Sequence, residues 1–316
     1  MEIAKEFLHI VLTEAGKMWW FTLIGVTVAA LIKTYQLDKN VRKYVGRFGV
    51  LSILVATAIG AFSPLCSCGI LPIIIPMALS GVPLPPLMAL LTTSPVMDPS
   101  SFFLTMGGVG EELAWWKFGG AIFLGLSSGF VTLFLVRTGY FSGNIVRMKP
   151  VHTDEGELAS AYEIGCANNL ILKTMTVKPR ESKLLFFIDR FLDVGLFVGM
   201  WVAIAIVLEA VIQLFVPINW VTWLVGKEGM TSVVAAALVA LPLPAHQVPV
   251  VPILAGLQAK GISVGADIAF LMAGPVTSIP AIGALSAIFL PRVVVSFIIT
   301  GLAGSIILGA LRMGFG

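Results

Sequence analysis

Residues 49–96 read GVLSILVATAIGAFSPLCSCGILPIIIPMALSGVPLPPLMALLTTSPV, and residues 229–276 read GMTSVVAAALVALPLPAHQVPVVPILAGLQAKGISVGADIAFLMAGPV. Laid over one another without a gap, at a shift of 180, they agree at 11 of 48 positions. Composition bias alone gives about four. The matches include Pro64/Pro244, Pro72/Pro252 and Pro95/Pro275, and Gly49/Gly229 and Gly81/Gly261. Proline and glycine interrupt helices, so the two stretches share their breaks as well as their apolar character. Upstream, residues 44–49 (YVGRFG) resemble residues 224–229 (LVGKEG) at the same shift.

Working outward, each copy lies in the same surroundings. A long apolar helix is expected at about 18–36 and again at about 190–216. Two broken stretches follow, 49–81 and 84–108 in the first half, 229–261 and 264–289 in the second. A long helix, 114–137 or 291–312, closes each half. The domain division is 1–137 for the first repeat, 138–185 for a polar linker with a surface helix near 157–175, and 186–316 for the second repeat.

The solvent for these helices is lipid. Of the 316 residues, 58% are hydrophobic and 12% charged, with a mean hydropathy of +0.98. Soluble domains carry about 25% charged residues. Runs such as 118–136 and 198–216 have the ~20-residue length that crosses a roughly 30 Å hydrocarbon core. They lack the two-residue alternation of a β-barrel. The expected fold class is therefore all-α, a polytopic bundle of about 8–10 transmembrane segments. No cleavable signal peptide is evident, since the first apolar run begins only near Met18. The net charge of +3 says little of nucleic acid, because the basic residues flank membrane segments.

Charge also orients the chain. Residues 33–47 and 137–190 hold 13 of the 20 lysines and arginines, which places both segments, and so the linker 138–185, on the cytoplasmic side. Glu111 and Glu112, against Lys117, read as an external turn. In the second half, the segment matching 33–47 carries only Lys227 and Glu228. The two halves then have opposite orientations, an inverted-topology repeat with a re-entrant hairpin in each, as in many secondary transporters.

The breaks carry the chemistry. Irregular backbone at membrane depth is tolerated only inside protein or along a water-filled cavity. The breaks are 63–69, 92–100, 242–249 and 274–280, and the few polar residues of the apolar stretches fall in them. Cys66, Ser67, Cys68, Ser94, Asp98, His246, Gln247, Thr277 and Ser278 form the candidate solute-binding set. The shift of 180 matches Cys66 with His246 and Ser67 with Gln247. Bracketed by Pro64 and Gly69, Cys66 and Cys68 in an extended segment point to one side. Two thiols there suit a soft metal or metalloid; the pair also reads as a strained, reducible disulfide, or as two small residues at a tight helix contact. Asp98 and Glu209 are the acids placed within membrane segments, hence proton-coupling candidates. Glu209 reads equally as a snorkelling or interhelical hydrogen-bonding residue. His246 reads as a cation ligand, a proton carrier or a packed core residue. Asp267 reads as a helix cap or dipole partner. Cys166 is expected to be a free thiol of the linker.

The string Pro64-Leu-Cys-Ser-Cys-Gly-Ile-Leu-Pro72, followed by Pro76, Gly81 and Thr93-Ser-Pro-Val-Met-Asp-Pro99, resembles the permease family of bacteria and archaea that includes the ArsP-type organoarsenical efflux permeases. The resemblance runs from about 15 to 312. It implies an inner-membrane permease. In the arsenical branch it implies export of trivalent organoarsenicals with the motif cysteines, here Cys66 and Cys68, as ligands; the motif alone does not fix arsenic. Together these readings favour a secondary-type permease for a small soft or thiol-reactive solute. A membrane thiol–disulfide oxidoreductase using the same cysteines is the alternative, and a channel a third. No enzyme activity and no cofactor are expected, and no P-loop pattern is present. The expected partners are the solute and the bilayer, with a homo-oligomer left open.

Overall fold

The structure, a computed structural model, describes residues 49–63, 81–97, 99–141, 229–241, 262–277 and 289–315 continuously, with scattered positions elsewhere. Every regular element among the described residues is a helix: α1 (Leu51–Phe62), α2 (Leu84–Val96), α3 (Pro99–Gly108), α4 (Glu111–Arg137), α5 (Met230–Val239), α6 (Val264–Thr277) and α7 (Pro291–Phe315). The helical class expected from composition holds. Among the described residues, α4 and α7 are the two helices long and apolar enough to cross a membrane. The long helices expected near 18–36 and 190–216 fall where only scattered positions are described.

Local chemistry sets the ends. Pro85 and Pro86 open α2, where a missing N–H costs nothing because the first turn has no carbonyl to bond. Ser63 closes α1 in an extended conformation, φ −77° and ψ 125°, as expected of a residue before proline. Glu111 and Glu112 lie in the first turn of α4 and Arg137 in its last, each complementing the helix dipole. Its 27 residues span about 40 Å, enough for the hydrocarbon core and both interfaces. The faces that α4 and α7 leave uncovered are apolar too, with Phe123, Phe130, Phe134, Val295, Ile299 and Ile307 exposed. A helix that is hydrophobic all round belongs in lipid or in a large core.

The shorter helices are packed between the longer ones. All of α2 is buried, and all of α6 but its first residue. α2 touches α1 and α4; α6 touches α5 and α7. The helix starts repeat the sequence shift: Leu84 and Val264 open helices 180 positions apart, as do Glu111 and Pro291. The close contacts repeat it as well. A Cβ on Gly129 would strike Ile53 and approach Ala89 Cβ to 3.2 Å. A Cβ on Gly309 would meet Val233 Cγ1 at 2.5 Å and Ala269 Cβ at 3.1 Å. Each residue of the second set is the first set's number plus 180.

Between these groups, α4 crosses α7, and α6 touches both α2 and α4. Trp116 meets Phe315 with ring centroids 6.4 Å apart. Gly120 lies against Leu308, and Leu124 against Gly304. Beyond the other end, Arg292 stands 5.9 Å from the Tyr140 ring. Numbers rise along α4 as they fall along α7, so the two helices are antiparallel.

Candidate functional site

Of the candidate site residues, Cys66, Ser67, Cys68, Asp98, Glu209, His246, Gln247 and Ser278 lie outside the described residues. Ser94 and Thr277 are described, and both are buried. Ser94 occupies the last turn of α2, next to Pro95; Thr277 is the last residue of α6, where its hydroxyl donates to the Ala273 carbonyl at 2.7 Å. Pro95 and Pro275 stand in the last turns of these helices, where each lacks the N–H that the carbonyl four residues earlier would accept.

The described flanks of two breaks come together. A Cβ on Gly60 would lie 3.0 Å from Thr93 Cβ and 3.3 Å from the Ser94 nitrogen, so the last turn of α1 packs on the last turn of α2. Ile53 and Ala89 meet Gly129 one to two turns earlier, so the two helices run in the same direction. Their C-terminal ends, with the partial negative charge of the helix dipole, therefore adjoin. The chain leaves α1 at Ser63 toward Pro64, and leaves α2 at Met97 toward Asp98. Hydroxyls back this region against α4. Thr92 Oγ1 bonds Ser128 Oγ at 2.9 Å and donates to the Met88 carbonyl at 2.8 Å. Such side-chain bonds tie helices together where lipid supplies no hydrophobic drive.

Lys117 differs from its sequence reading. Expected on an external turn beside Glu111 and Glu112, it is wholly buried in α4. The helix starts at Glu111, which puts Lys117 in its second turn, facing α3. Its ammonium donates to Ser101 Oγ at 2.8 Å and to Thr105 Oγ1 at 3.3 Å, and lies 3.4 Å from the Ser101 carbonyl. An ionisable side chain inside a membrane protein marks function more often than packing. Ser101 and Thr105, one turn apart on α3, were the available signal.

Asp267 also does more than cap a helix. It is buried in the first turn of α6, and its Oδ1 accepts from Arg312 Nη1 at 2.8 Å. Gln258 Nε2 lies 3.3 Å from Oδ2. Spacing could not reveal this pair, which joins positions 45 apart.

Comparison with known proteins supplies the remaining identification. A protein of Streptococcus mutans is 26% identical over 283 residues, 88% of this chain and 85% of that protein, and carries the provisional description "two-component membrane permease complex subunit". The UPF0718 protein YcgR of Bacillus subtilis is 30% identical over 92 residues, 29% of this chain and 31% of that protein. No solved structure matches. The ArsP_1 family, described as "Predicted permease", matches residues 3–313, and the chain belongs to this family of membrane permeases.

Proposed function

We propose that this permease is a secondary-type transporter built as an inverted repeat. Residues 1–137 and 186–316 are the halves, and 138–185 is a cytoplasmic linker in a protein of the inner membrane. It moves a small soft or thiol-reactive solute, a trivalent organoarsenical being the leading candidate, past the breaks. The observation that carries the reading is the crossing of α4 with α7. They open 180 positions apart, yet run antiparallel. Repeats related by an axis along the membrane normal would point their matching helices the same way. Opposite directions fit an axis in the membrane plane. The contact of Leu124 with Gly304 supports the same geometry, because these positions differ by 180. A residue meets its own counterpart only beside a two-fold axis.

The adjoining ends of α1 and α2 support one shared site for Cys66, Ser67, Cys68, Ser94 and Asp98. Thr277 and Ser278, with His246 and Gln247, supply the matching side from the second half. The two cysteines ligate the soft solute, and Asp98 or Glu209 exchanges the coupling proton. The description of the S. mutans relative supports a search for a second component.

The test is flux. The purified full chain in proteoliposomes takes up phenylarsine oxide, read as internal arsenic by mass spectrometry. The Cys66→Ala/Cys68→Ala protein folds but loses this uptake. Undiminished uptake by that variant would remove the cysteines from the site. Thiol turnover with no arsenic movement would replace the permease mechanism with the oxidoreductase one.

A further inference from the structure

Resting on the transporter reading, we infer that Arg312 and Glu112 form an ionic latch between the two halves at one mouth of the permease. The crossing of α4 and α7 is tight in the middle. In the middle, a Cβ on Gly304 would strike Leu124, and a Cβ on Gly120 would lie 3.1 Å from Met272 Sδ and 3.2 Å from Leu308 Cδ1. Packed glycine contacts of this kind leave no room for sliding. They do permit a small rocking, with the crossing as the pivot. At one end the link is Glu112 with Arg312, assisted by Trp116 on Phe315. At the other it is Arg292 over Tyr140. Rocking that opens one end closes the other.

Arg312 is built for a latch. Its own half fixes it, through the bond from Nη1 to Asp267. Nη2 is 3.6 Å from Glu112 Oε1, a charge contact longer than a hydrogen bond. Nε is buried with no hydrogen-bond partner. Nε and Nη2 share the edge of the guanidinium that a carboxylate grips with two parallel bonds. A buried N–H is rarely left unsatisfied. The Glu112 side chain is 76% exposed, so a shift of about 1 Å would bring Oε1 within hydrogen-bond distance of Nη2, on the edge that also carries Nε. The structure thus holds the latch half-engaged.

Glu112 is exposed, so changing it tests the latch without disturbing the core. Hydrogen–deuterium exchange of the full chain in nanodiscs reads both ends of the crossing. In Glu112→Lys, amides 111–117 and 308–315 exchange about threefold faster, the loss expected for one exposed charge contact, while amides near 135–141 and 292–294 exchange more slowly. Arg312→Lys keeps the charge for Asp267 but loses the two-pronged edge, and gives the same pattern in weaker form. Unchanged exchange in Glu112→Lys would mean a passive surface ion pair and overturn the latch. Faster exchange at both ends would mean simple fraying and overturn it as well. Exchange needs no solute. Proteoliposomes that move no phenylarsine oxide while exchange follows the expected pattern would therefore reject the solute, not the latch.

Discussion

Lys117 has no exposed surface, and among the described residues α3 offers its amine hydroxyls one turn apart. The shorter contact, to Ser101 Oγ at 2.8 Å, carries more of the interaction. Leaving a buried donor without its acceptor costs roughly 1–3 kcal/mol, because the group cannot recover the bond from water. Ser101→Ala is therefore expected to cost about 2 kcal/mol, lowering the detergent-solubilised melting temperature by about 4 °C. Ser296→Ala removes a bond to the Val293 carbonyl of its own helix and should change melting little. Equal melting shifts for the two would remove any special role for the Ser101–Lys117 contact. Lys117 was not legible in the sequence because a charge beside two glutamates reads as solvated. Its burial follows from where α4 begins and from α3 folding back on it, and neither is a local property. Asp267 does lie in the first turn of α6, as a dipole partner should; its partner Arg312, 45 positions distant, was what the sequence could not reveal.

At the scale of elements, much more was legible, because proline and glycine act locally. The second broken stretch, expected over 84–108, resolves into α2 and α3 on either side of Met97 and Asp98. The closing helices expected at 114–137 and 291–312 become Glu111–Arg137 and Pro291–Phe315. The three-residue error at the start of α4 came from treating Glu111 and Glu112 as turn residues, when they complement its positive end. How helices approach one another was not legible, since an apolar stretch does not advertise its closest contact. The glycines at 129 and 309 set that distance. Gly129→Ala forces a methyl into Ile53 and Ala89, and Gly309→Ala forces one into Val233 and Ala269. Each should destabilise by about 1–3 kcal/mol, the cost of overpacking. Gly119, in the same helix as Gly129, has nothing within 4 Å of its would-be Cβ. Gly119→Ala should instead gain about 0.5–1 kcal/mol from helix propensity. Thermal melting of the three proteins checks both signs, and a Gly129→Ala protein as stable as Gly119→Ala would refute the close-contact account.

For the whole molecule, the antiparallel crossing turns a charge argument into a statement about both ends of the chain's second half. In the proposed topology, the clustering of 13 of the 20 basic residues in 33–47 and 137–190 puts the end of α4, at Arg137, on the cytoplasmic side. Glu112, at the start of α4, then lies on the opposite side. Arg312 approaches Glu112 to 3.6 Å, and Phe315 lies tilted against Trp116, so the end of α7 shares that opposite side. The positive-inside bias offers no objection. Arg292, at the start of α7, stays with Tyr140 at the end proposed to be cytoplasmic, while Arg312 is buried and paired with Asp267. The expectation is that the linker and the end of α7 lie across the membrane from each other. In a Cys66→Ser/Cys68→Ser background, Cys166 should react with an impermeant maleimide only after lysis. An epitope placed after Phe315 should bind antibody on intact spheroplasts. If linker and epitope prove accessible from the same side, α4 and α7 do not both cross the bilayer as antiparallel partners, and the inverted repeat goes with them. Opposite sides with the linker outside would retain the repeat and reverse only the orientation drawn from charge.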